Sequence, residues 1–242
     1  MSNIRIFEVG GSIRDELMGI DNPPDRDFCA VSPEGWEALL TWCKTNMDKV
    51  FLVTPEFFTV RGMIGKDAID IVMCRKDGPS SDGRRPDHVE PGTLMDDLAR
   101  RDFTMNAMAR EVDPGTLEPI GEVIDPFGGA ADAEEGVLKC VGDTEERLEE
   151  DGLRLLRAAR FAVTKDLIPD DDLEDALGCE TWWAFVERSV SENRIREELN
   201  KMFMHDTTAT LRFLMHHCSS SAIDFLFGDT TNIWLKPTME KK

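Results

Sequence analysis

Three aspartates have the types and spacing that could hold metal ions. Asp25 and Asp27 are two residues apart at the start of a predicted strand, so their side chains point to one face. Two like charges repel each other unless a cation lies between them, and hard divalent cations such as Mg²⁺ prefer carboxylate oxygens. Because most isolated Asp-x-Asp sequences are solvated turns, this pair alone does not establish a metal site.

Asp70 adds weight to the metal interpretation. It lies in an otherwise apolar strand segment, Ala68 to Met73, where an unpaired carboxylate costs roughly several kcal/mol. The alternative is an outward-facing position on a half-exposed strand. Three carboxylates from two strands could hold two ions about 4 Å apart, which is the geometry used for in-line phosphoryl or nucleotidyl transfer.

A glycine pair, Gly10-Gly11, precedes these aspartates at a predicted strand-to-helix junction. Backbone N–H groups at a helix N-terminus bind anions, and glycines let a triphosphate approach closely. A tight turn is the alternative interpretation. The position just upstream of Asp25 and Asp27 favours a phosphate site.

The elements that must position these residues are predicted from periodicity and turn residues. We expect strands at 4–9, 27–31, 57–63 and 67–74, helices at 12–18, 33–47 and 103–108, a loop at 75–92, and a turn at 113–115. One long helix, TEERLEEDGLRLLRAARFAV, is expected to begin with Thr144 as its N-cap. The fold class is therefore α+β, with a head at 1–140 and an all-helical part at 141–242.

Bulk composition fits a globular protein of one or two domains. The chain has 242 residues, of which 41% are hydrophobic, and no apolar run reaches the roughly 18 residues that a membrane span needs. We expect a soluble cytoplasmic protein without a signal peptide or membrane contact. Its six cysteines are scattered, which favours reduced thiols over zinc ligands or disulfides.

The net charge of −20 argues against a nucleic-acid partner, because binding to phosphates normally needs a basic surface. The basic residues are unevenly placed, however. The stretch from Arg75 to Arg101 is arginine-rich, and within it Arg84 and Arg85 are candidate RNA-binding residues. Such a local basic track could hold one RNA end, with weak and salt-sensitive binding.

Several motifs, in one order, resemble a known family. GGSIRDELMG, DRD, IDIVMCR, DGRRPDHV, LMDDLARRDFTMNAMA, DPFGGAADAEEGVLKCVGD, RLEEDGLRLLRAARF and SVSENRIREELNKM run from Val9 to about Met204. They resemble class II tRNA nucleotidyltransferases and bacterial poly(A) polymerases. Linked motifs with this spacing are far more specific than any one of them.

The resemblance implies a polymerase-β-like head, a mixed sheet flanked by helices, followed by a helical neck and a shortened body. It implies that Asp25, Asp27 and Asp70 are the catalytic metal ligands. The residues implied to bind the incoming nucleotide are Gly10, Gly11, Arg14, Arg101, Asp102 and Asn106, with Asp151 and Arg154 reading its base.

The sequence departs from the family pattern at three positions. Asp70 replaces the usual glutamate, Phe58 replaces a glycine before a strand, and Asn193 replaces a glutamate in the last motif. The chain is also shorter than is usual for the family, so the distal RNA-gripping helices are expected to be short or absent.

Base selection without a template has a simple chemical basis at Asp151 and Arg154. We expect them at positions i and i+3 of the long helix, on one face. A carboxylate accepts from the amino group of cytosine or adenine, and a guanidinium donates to the adjacent ring nitrogen. Uracil and guanine present the reverse pattern and would leave both groups unpaired. A surface ion pair within the helix is the alternative.

The predicted function is therefore the addition of C and A from CTP and ATP to the 3′ end of tRNA, with Mg²⁺ and release of pyrophosphate. One alternative is a poly(A) polymerase-like enzyme that adds A alone. The other is a non-catalytic acidic protein that binds a nucleotide or RNA. The sequence leaves the oligomeric state and any general base undecided.

Overall fold

The computed structural model describes residues 3–20, 26–78 and 88–228, which form two compact units. The first unit contains the described residues up to Glu135, and the second begins at Gly136. Each unit has its own hydrophobic core. The α+β class predicted from the sequence is confirmed, with a mixed sheet flanked by helices and a helical C-terminal region.

Most of the strands of the first unit form one seven-stranded sheet. The strands of the described part are β1 (Arg5–Val9), β2 (Asp27–Val31), β3 (Lys49–Thr54), β4 (Thr59–Ile64), β5 (Asp67–Met73), β6 (Arg75–Asp77), β7 (Val89–Pro91), β8 (Ala109–Val112), β9 (Pro119–Ile124), β10 (Val137–Leu138) and β11 (Ile168–Pro169). The sheet order is β3-β4-β5-β2-β1-β8-β9, and within it only the described pair β2–β5 is parallel.

Helices complete both units. They are α1 (Gly11–Leu17), α2 (Trp36–Asn46), α3 (Leu94–Ala99), α4 (Gly129–Glu135), α5 (Thr144–Glu150), α6 (Leu153–Lys165), α7 (Asp171–Gly178), α8 (Glu180–Ser189), α9 (Glu192–His205), α10 (Thr207–His217) and α11 (Ser220–Phe227). Among the described residues, none of these helices is long and apolar enough to cross a membrane.

The two faces of the sheet follow from side-chain alternation along the strands. In one core cluster, Phe28, Ile71 and Val60 pack with Leu39 and Cys43 of α2. Their neighbours along the strands point the other way. The face opposite α2 therefore carries Asp27 and Asp70, so packing of the apolar face fixes where both carboxylates project.

Two predicted elements differ from the structure, and one predicted turn is confirmed. The helix predicted at 103–108 is only a 3₁₀ turn, Thr104–Asn106. The loop predicted at 75–92 contains the antiparallel pair β6–β7 at its two ends. The turn at 113–115 is present, with Asp113 accepting from the N–H groups of Gly115 and Thr116, and it joins the unpredicted hairpin of β8 and β9.

The long helix predicted from Thr144 is also wrong, because it is two helices, α5 and α6. Asp151 separates them with an extended backbone (φ −154°, ψ 103°). The N-cap of α5 is Asp143, whose carboxylate accepts from Glu146 N, rather than Thr144. Gly152 follows the break, where a Cβ would lie 2.8 Å from Ser189 Oγ and 3.1 Å from the Phe185 ring.

Candidate functional site

The candidate phosphate cradle is the Gly10-Gly11 backbone, which directly follows β1. Gly10 has φ +80°, a conformation that glycine adopts without strain. A Cβ at Gly10 would lie 2.8 Å from Arg101 Nη1, and a Cβ at Gly11 would lie 3.3 Å from Arg14 Nη2. Two guanidinium groups thus lie against a backbone without side chains, which is an arrangement suited to an anion.

A buried hydrogen-bond chain orients Arg14 beside this cradle. Arg14 Nη1 donates to Asn106 Oδ1 at 2.6 Å, and Asn106 Nδ2 donates to Asp102 Oδ1 at 2.9 Å. Asp15 also accepts from Arg14 Nε, at 2.8 Å. Arg14, Asn106 and Asp102 are all buried. The structure therefore brings together five of the predicted nucleotide-binding residues, together with Arg101, whose Nη1 donates to Asn106 O.

Asp97 is a residue of this site that sequence reasoning missed. Its carboxylate is 1% exposed and accepts from Arg100 at 2.6 Å and from Arg101 at 3.3 Å. Burial raises the pKa of Asp97, but the two arginine charges outweigh burial and hold it below its ordinary value. The available signal was the spacing in Asp97-x-x-Arg100-Arg101, which places these charges one helical turn apart.

The structure also brings together two of the three predicted metal ligands. Asp27 and Asp70 are direct register partners in the parallel pair β2–β5. Register partners on neighbouring strands point to the same face, so these carboxylates lie side by side. Asp25 lies outside the described residues. In the part of the chain that the structure describes, no group of three or more His, Cys, Asp or Glu side chains could hold a metal ion.

The carboxylates lie next to the cradle because of the strand order. Asp27 is the register partner of Val9, the last residue of β1, and Gly10 follows Val9 directly. Asp70 is one strand further along the same row, and Arg61 of β4 comes after it. The row Val9, Asp27, Asp70 and Arg61 therefore runs across one face of the sheet.

An ion-pair cluster on the other side of the sheet anchors the start of β2. Arg26 donates to Glu8 Oε1 at 2.8 Å and to Leu117 O at 2.7 Å, and Arg110 lies 3.3 Å from Glu8 Oε2. Glu8 is 3% exposed. Burial raises the pKa of Glu8. The hydrogen bond and the charge of Arg26 lower it by more than burial raises it, so the pKa is below its ordinary value. This cluster fixes the residue directly before Asp27.

The expected base-reading pair does not share one helix face. Asp151 lies in the break between α5 and α6, where it accepts from Arg194 at 3.2 and 2.7 Å and from Leu153 N at 3.0 Å. Arg154 instead donates to Glu150 Oε2 at 2.6 Å and to Arg147 O at 2.9 Å. The i, i+3 prediction failed because it assumed a continuous helix. Arg194 is 43 residues from Asp151, so no local spacing could have found it.

Two further predicted residues cannot be placed. Arg84 and Arg85, the candidate RNA-binding residues, lie outside the described residues. The described arginines of the basic stretch form ion pairs, since Arg75 contacts Asp77, and Arg100 and Arg101 contact Asp97.

Comparisons with known proteins show which family this chain resembles. Residues 6–139 match the family model described as the poly(A) polymerase head domain. The CCA-adding enzyme of Lactococcus lactis subsp. lactis is 35% identical over 202 residues, covering 82% of this chain and 46% of that protein. The CCA-adding enzyme of Lactobacillus helveticus is 34% identical over 223 residues, covering 90% and 51%. The chain thus spans about half the length of the curated relatives it matches.

Solved structures give the same result. The Bacillus stearothermophilus CCA-adding enzyme in complex with CTP is 28% identical, with a TM-score of 0.70, over 88% of this chain and 48% of that one. The Thermotoga maritima CCA-adding enzyme complexed with tRNA is 27% identical, with a TM-score of 0.71, over 95% and 50%. Because the family match spans more than half of the chain and includes the elements that carry the glycine pair and the paired aspartates, this chain belongs to the poly(A) polymerase head domain family.

Proposed function

We propose that the chain is a template-independent nucleotidyltransferase that adds C and A, from CTP and ATP, to the 3′ end of tRNA. The observation that carries the proposal is the register of Val9, Asp27 and Asp70, which sets two carboxylates beside the Gly10-Gly11 cradle. The family match and the relatives named CCA-adding enzymes support it. The similar solved structures that contain CTP or tRNA support these substrate classes.

Nucleotidyltransferases of this family use divalent metal ions. The donor chemistry here suits such ions, because Asp27 and Asp70 offer carboxylate oxygens from neighbouring strands. We propose that Asp25, Asp27 and Asp70 hold two Mg²⁺ ions. When bound, such ions would activate the RNA 3′-hydroxyl and neutralise negative charge on the leaving pyrophosphate.

The protein's own groups bind and orient the triphosphate. In the proposal, Arg14 and Arg101 neutralise its negative charge where the glycine backbone allows close approach. Asp102 and Asn106 hold Arg14 in place through the buried hydrogen-bond chain. The buried partners fix these guanidinium groups before substrate arrives, which reduces the reorganisation needed in the reaction.

Base selection is assigned to Asp151 and Arg154 of the helical unit. Asp151 would accept from the amino group that cytosine and adenine share, and Arg154 would donate to the ring nitrogen beside it. Arg154 contacts Glu150 and Arg147 O through Nη1, and a guanidinium has further N–H donors for such a contact. A base with the reverse donor and acceptor pattern offers neither group a matching partner, so it would bind less tightly than cytosine or adenine.

The test is incorporation with Mg²⁺ and each nucleoside triphosphate separately, on tRNAs that end before the first C, before the second C and before the A. We expect C on the first two and A on the third. Failure to add any nucleotide to any tRNA, by a protein shown to be folded, would refute the proposal.

Addition of A alone is the second candidate function, because the matching family model is that of a poly(A) polymerase head. The same experiment separates the two. Addition of A to all three tRNAs and to an unrelated RNA, without addition of C, would establish A-only activity in place of CCA addition.

A further inference from the structure

The carboxylate of Asp70 has a partner that the proposed chemistry does not use. Arg61 Nε donates to Asp70 Oδ1 at 2.6 Å, and Arg61 Nη2 donates to Asp70 Oδ2 at 2.5 Å. The two residues are register partners on β4 and β5, so both side chains project from the same face. This two-pronged contact engages both carboxylate oxygens.

The same oxygens are the ones a divalent ion would need. Asp27 lies beside Asp70 on β2, and a cation held between the two carboxylates requires at least one oxygen from each. In the metal-free protein, the positive charge of Arg61 therefore partly neutralises the two neighbouring carboxylates, Asp27 and Asp70. Without it, two neighbouring carboxylates would repel each other in the metal-free protein.

The contact is weak enough to be displaced. The Arg61 side chain is 56% exposed and that of Asp70 is 28% exposed, and ion pairs exposed to solvent contribute little net stability. Arg61 can thus turn into solvent when an ion binds, but the ion must first displace it. Displacement lowers the apparent metal affinity.

We propose that Arg61 is a positioning residue that holds Asp70 in the metal-free protein and competes with the divalent ion for its carboxylate. The inference rests on the proposed function, since it assigns Asp70 to metal binding. Because Arg61 is two strands away from Asp27, its effect reaches the metal site through Asp70.

The experiment is direct titration of the whole chain with Mn²⁺, with free ion measured by electron paramagnetic resonance. We expect Arg61→Gln to bind Mn²⁺ about 2- to 5-fold more tightly than wild type, the size expected for loss of one exposed ion pair. Arg61→Lys keeps the charge without the fork, and its affinity should fall between the two.

A matched control is Arg5→Gln. Arg5 makes a two-pronged pair with Glu111 at 2.8 and 2.6 Å, with exposures of 57% and 28%, on the same sheet. The Arg5→Gln substitution removes one positive charge, as Arg61→Gln does, but at a residue that does not contact Asp70. Equal effects of Arg5→Gln and Arg61→Gln, or no tightening by either Arg61 variant, would overturn the inference.

Nucleotide incorporation separates this result from the proposed function. A wild-type protein that adds C and A, together with unchanged Mn²⁺ affinity in Arg61→Gln, refutes the competition alone. A wild-type protein that adds no nucleotide refutes the function, whereas tighter Mn²⁺ binding by Arg61→Gln would still support the competition.

Discussion

Residues that line the candidate phosphate cradle are held in place by buried partners that do not line it themselves. Asp97 is the clearest case, because a buried carboxylate without a cation would be costly, whereas here it faces two arginines. One of them, Arg101, lies against Gly10. Asp97 therefore acts on the cradle through Arg101, and it is a positioning residue by this geometry.

Replacement of this carboxylate by an amide should affect both stability and nucleotide binding. We expect Asp97→Asn to lower the free energy of unfolding by about 3 kcal/mol, since it removes the charge of a buried carboxylate that pairs with two arginines. The KM for CTP should rise more than kcat falls. Urea unfolding and steady-state kinetics measure the two effects.

The neighbouring residue provides the control. Asp96 is half-buried and belongs to the N-terminal capping box of α3 with Thr93. Asp96→Asn keeps an oxygen that can accept from Thr93 N, so it should cost less than about 1 kcal/mol and leave the KM for CTP unchanged. Similar KM values for the two variants would contradict the positioning role of Asp97.

Residue types were predictable, but their partners were not. The glycine pair, the arginines and Asp70 were found from spacing and from the resemblance of motifs. Arg14 pairs with Asn106, which is 92 residues away, and no local pattern indicates that contact. Asp97 and Arg61 were missed because each looks like an ordinary surface charge until the fold places it beside a partner.

At the scale of elements, the strands around the carboxylates were predicted better than the helices. Apolar runs bounded by turn residues indicated β2, β4 and β5. The helix from Thr144 failed for a tertiary reason. A side chain at Gly152 would clash with Ser189 and Phe185 of α8. The apolar periodicity of the segment carries no information about this close packing.

One strained position tests the local geometry of the sheet. Phe58, where the family usually has glycine, has a left-handed backbone (φ 54°, ψ 39°) just before β4. This conformation costs a residue with a side chain about 1–2 kcal/mol. The ring recovers part of that cost by packing against Trp36, with centroids 5.7 Å apart.

We therefore expect Phe58→Gly to be more stable than Phe58→Ala by about 1 kcal/mol, because both lose the ring and only glycine avoids the strain. Thermal or urea unfolding measures the difference. At the adjacent Phe57, inside a 3₁₀ turn, the order should reverse. Alanine more stable than glycine at both positions would show that Phe58 is not strained.

At the scale of the whole molecule, some of the acidic residues stabilise the fold. The net charge is −20, yet the acidic run that begins at Asp170 lies at the start of α7. Asp170 caps that helix through Leu173 N, and negative charge in the first turn is favourable there. The charge that argued against an RNA partner thus includes residues that stabilise the helical unit.

The same acidity makes the stability depend on pH through buried carboxylates. Glu198 is buried and pairs with Arg160 and Lys201. Burial raises the pKa of Glu198. The charge of Arg160 and the hydrogen bond from Lys201 together lower it by more, so the pKa is below its ordinary value. Its stabilisation is fully present above the pKa of an unfolded glutamate, about 4.3, and is lost as the pH falls through the folded value.

We expect Glu198→Gln to cost about 3 kcal/mol at pH 7 and progressively less below about pH 4. Urea unfolding at a series of pH values measures this. Glu197→Gln, on the exposed neighbour, is the control and should have little effect at any pH. A cost for Glu198→Gln that stays constant down to pH 3 would contradict the assignment.

The most direct test of the central claim is the rate of CTP incorporation by carboxylate variants. We predict that Asp27→Asn and Asp70→Asn each lose about 10²–10³-fold in rate, the usual size for removal of one group that stabilises charge in the reaction. Asp67→Asn, on the same strand as Asp70 but on the other face, should keep the wild-type rate. Wild-type incorporation by Asp27→Asn or Asp70→Asn would contradict the account.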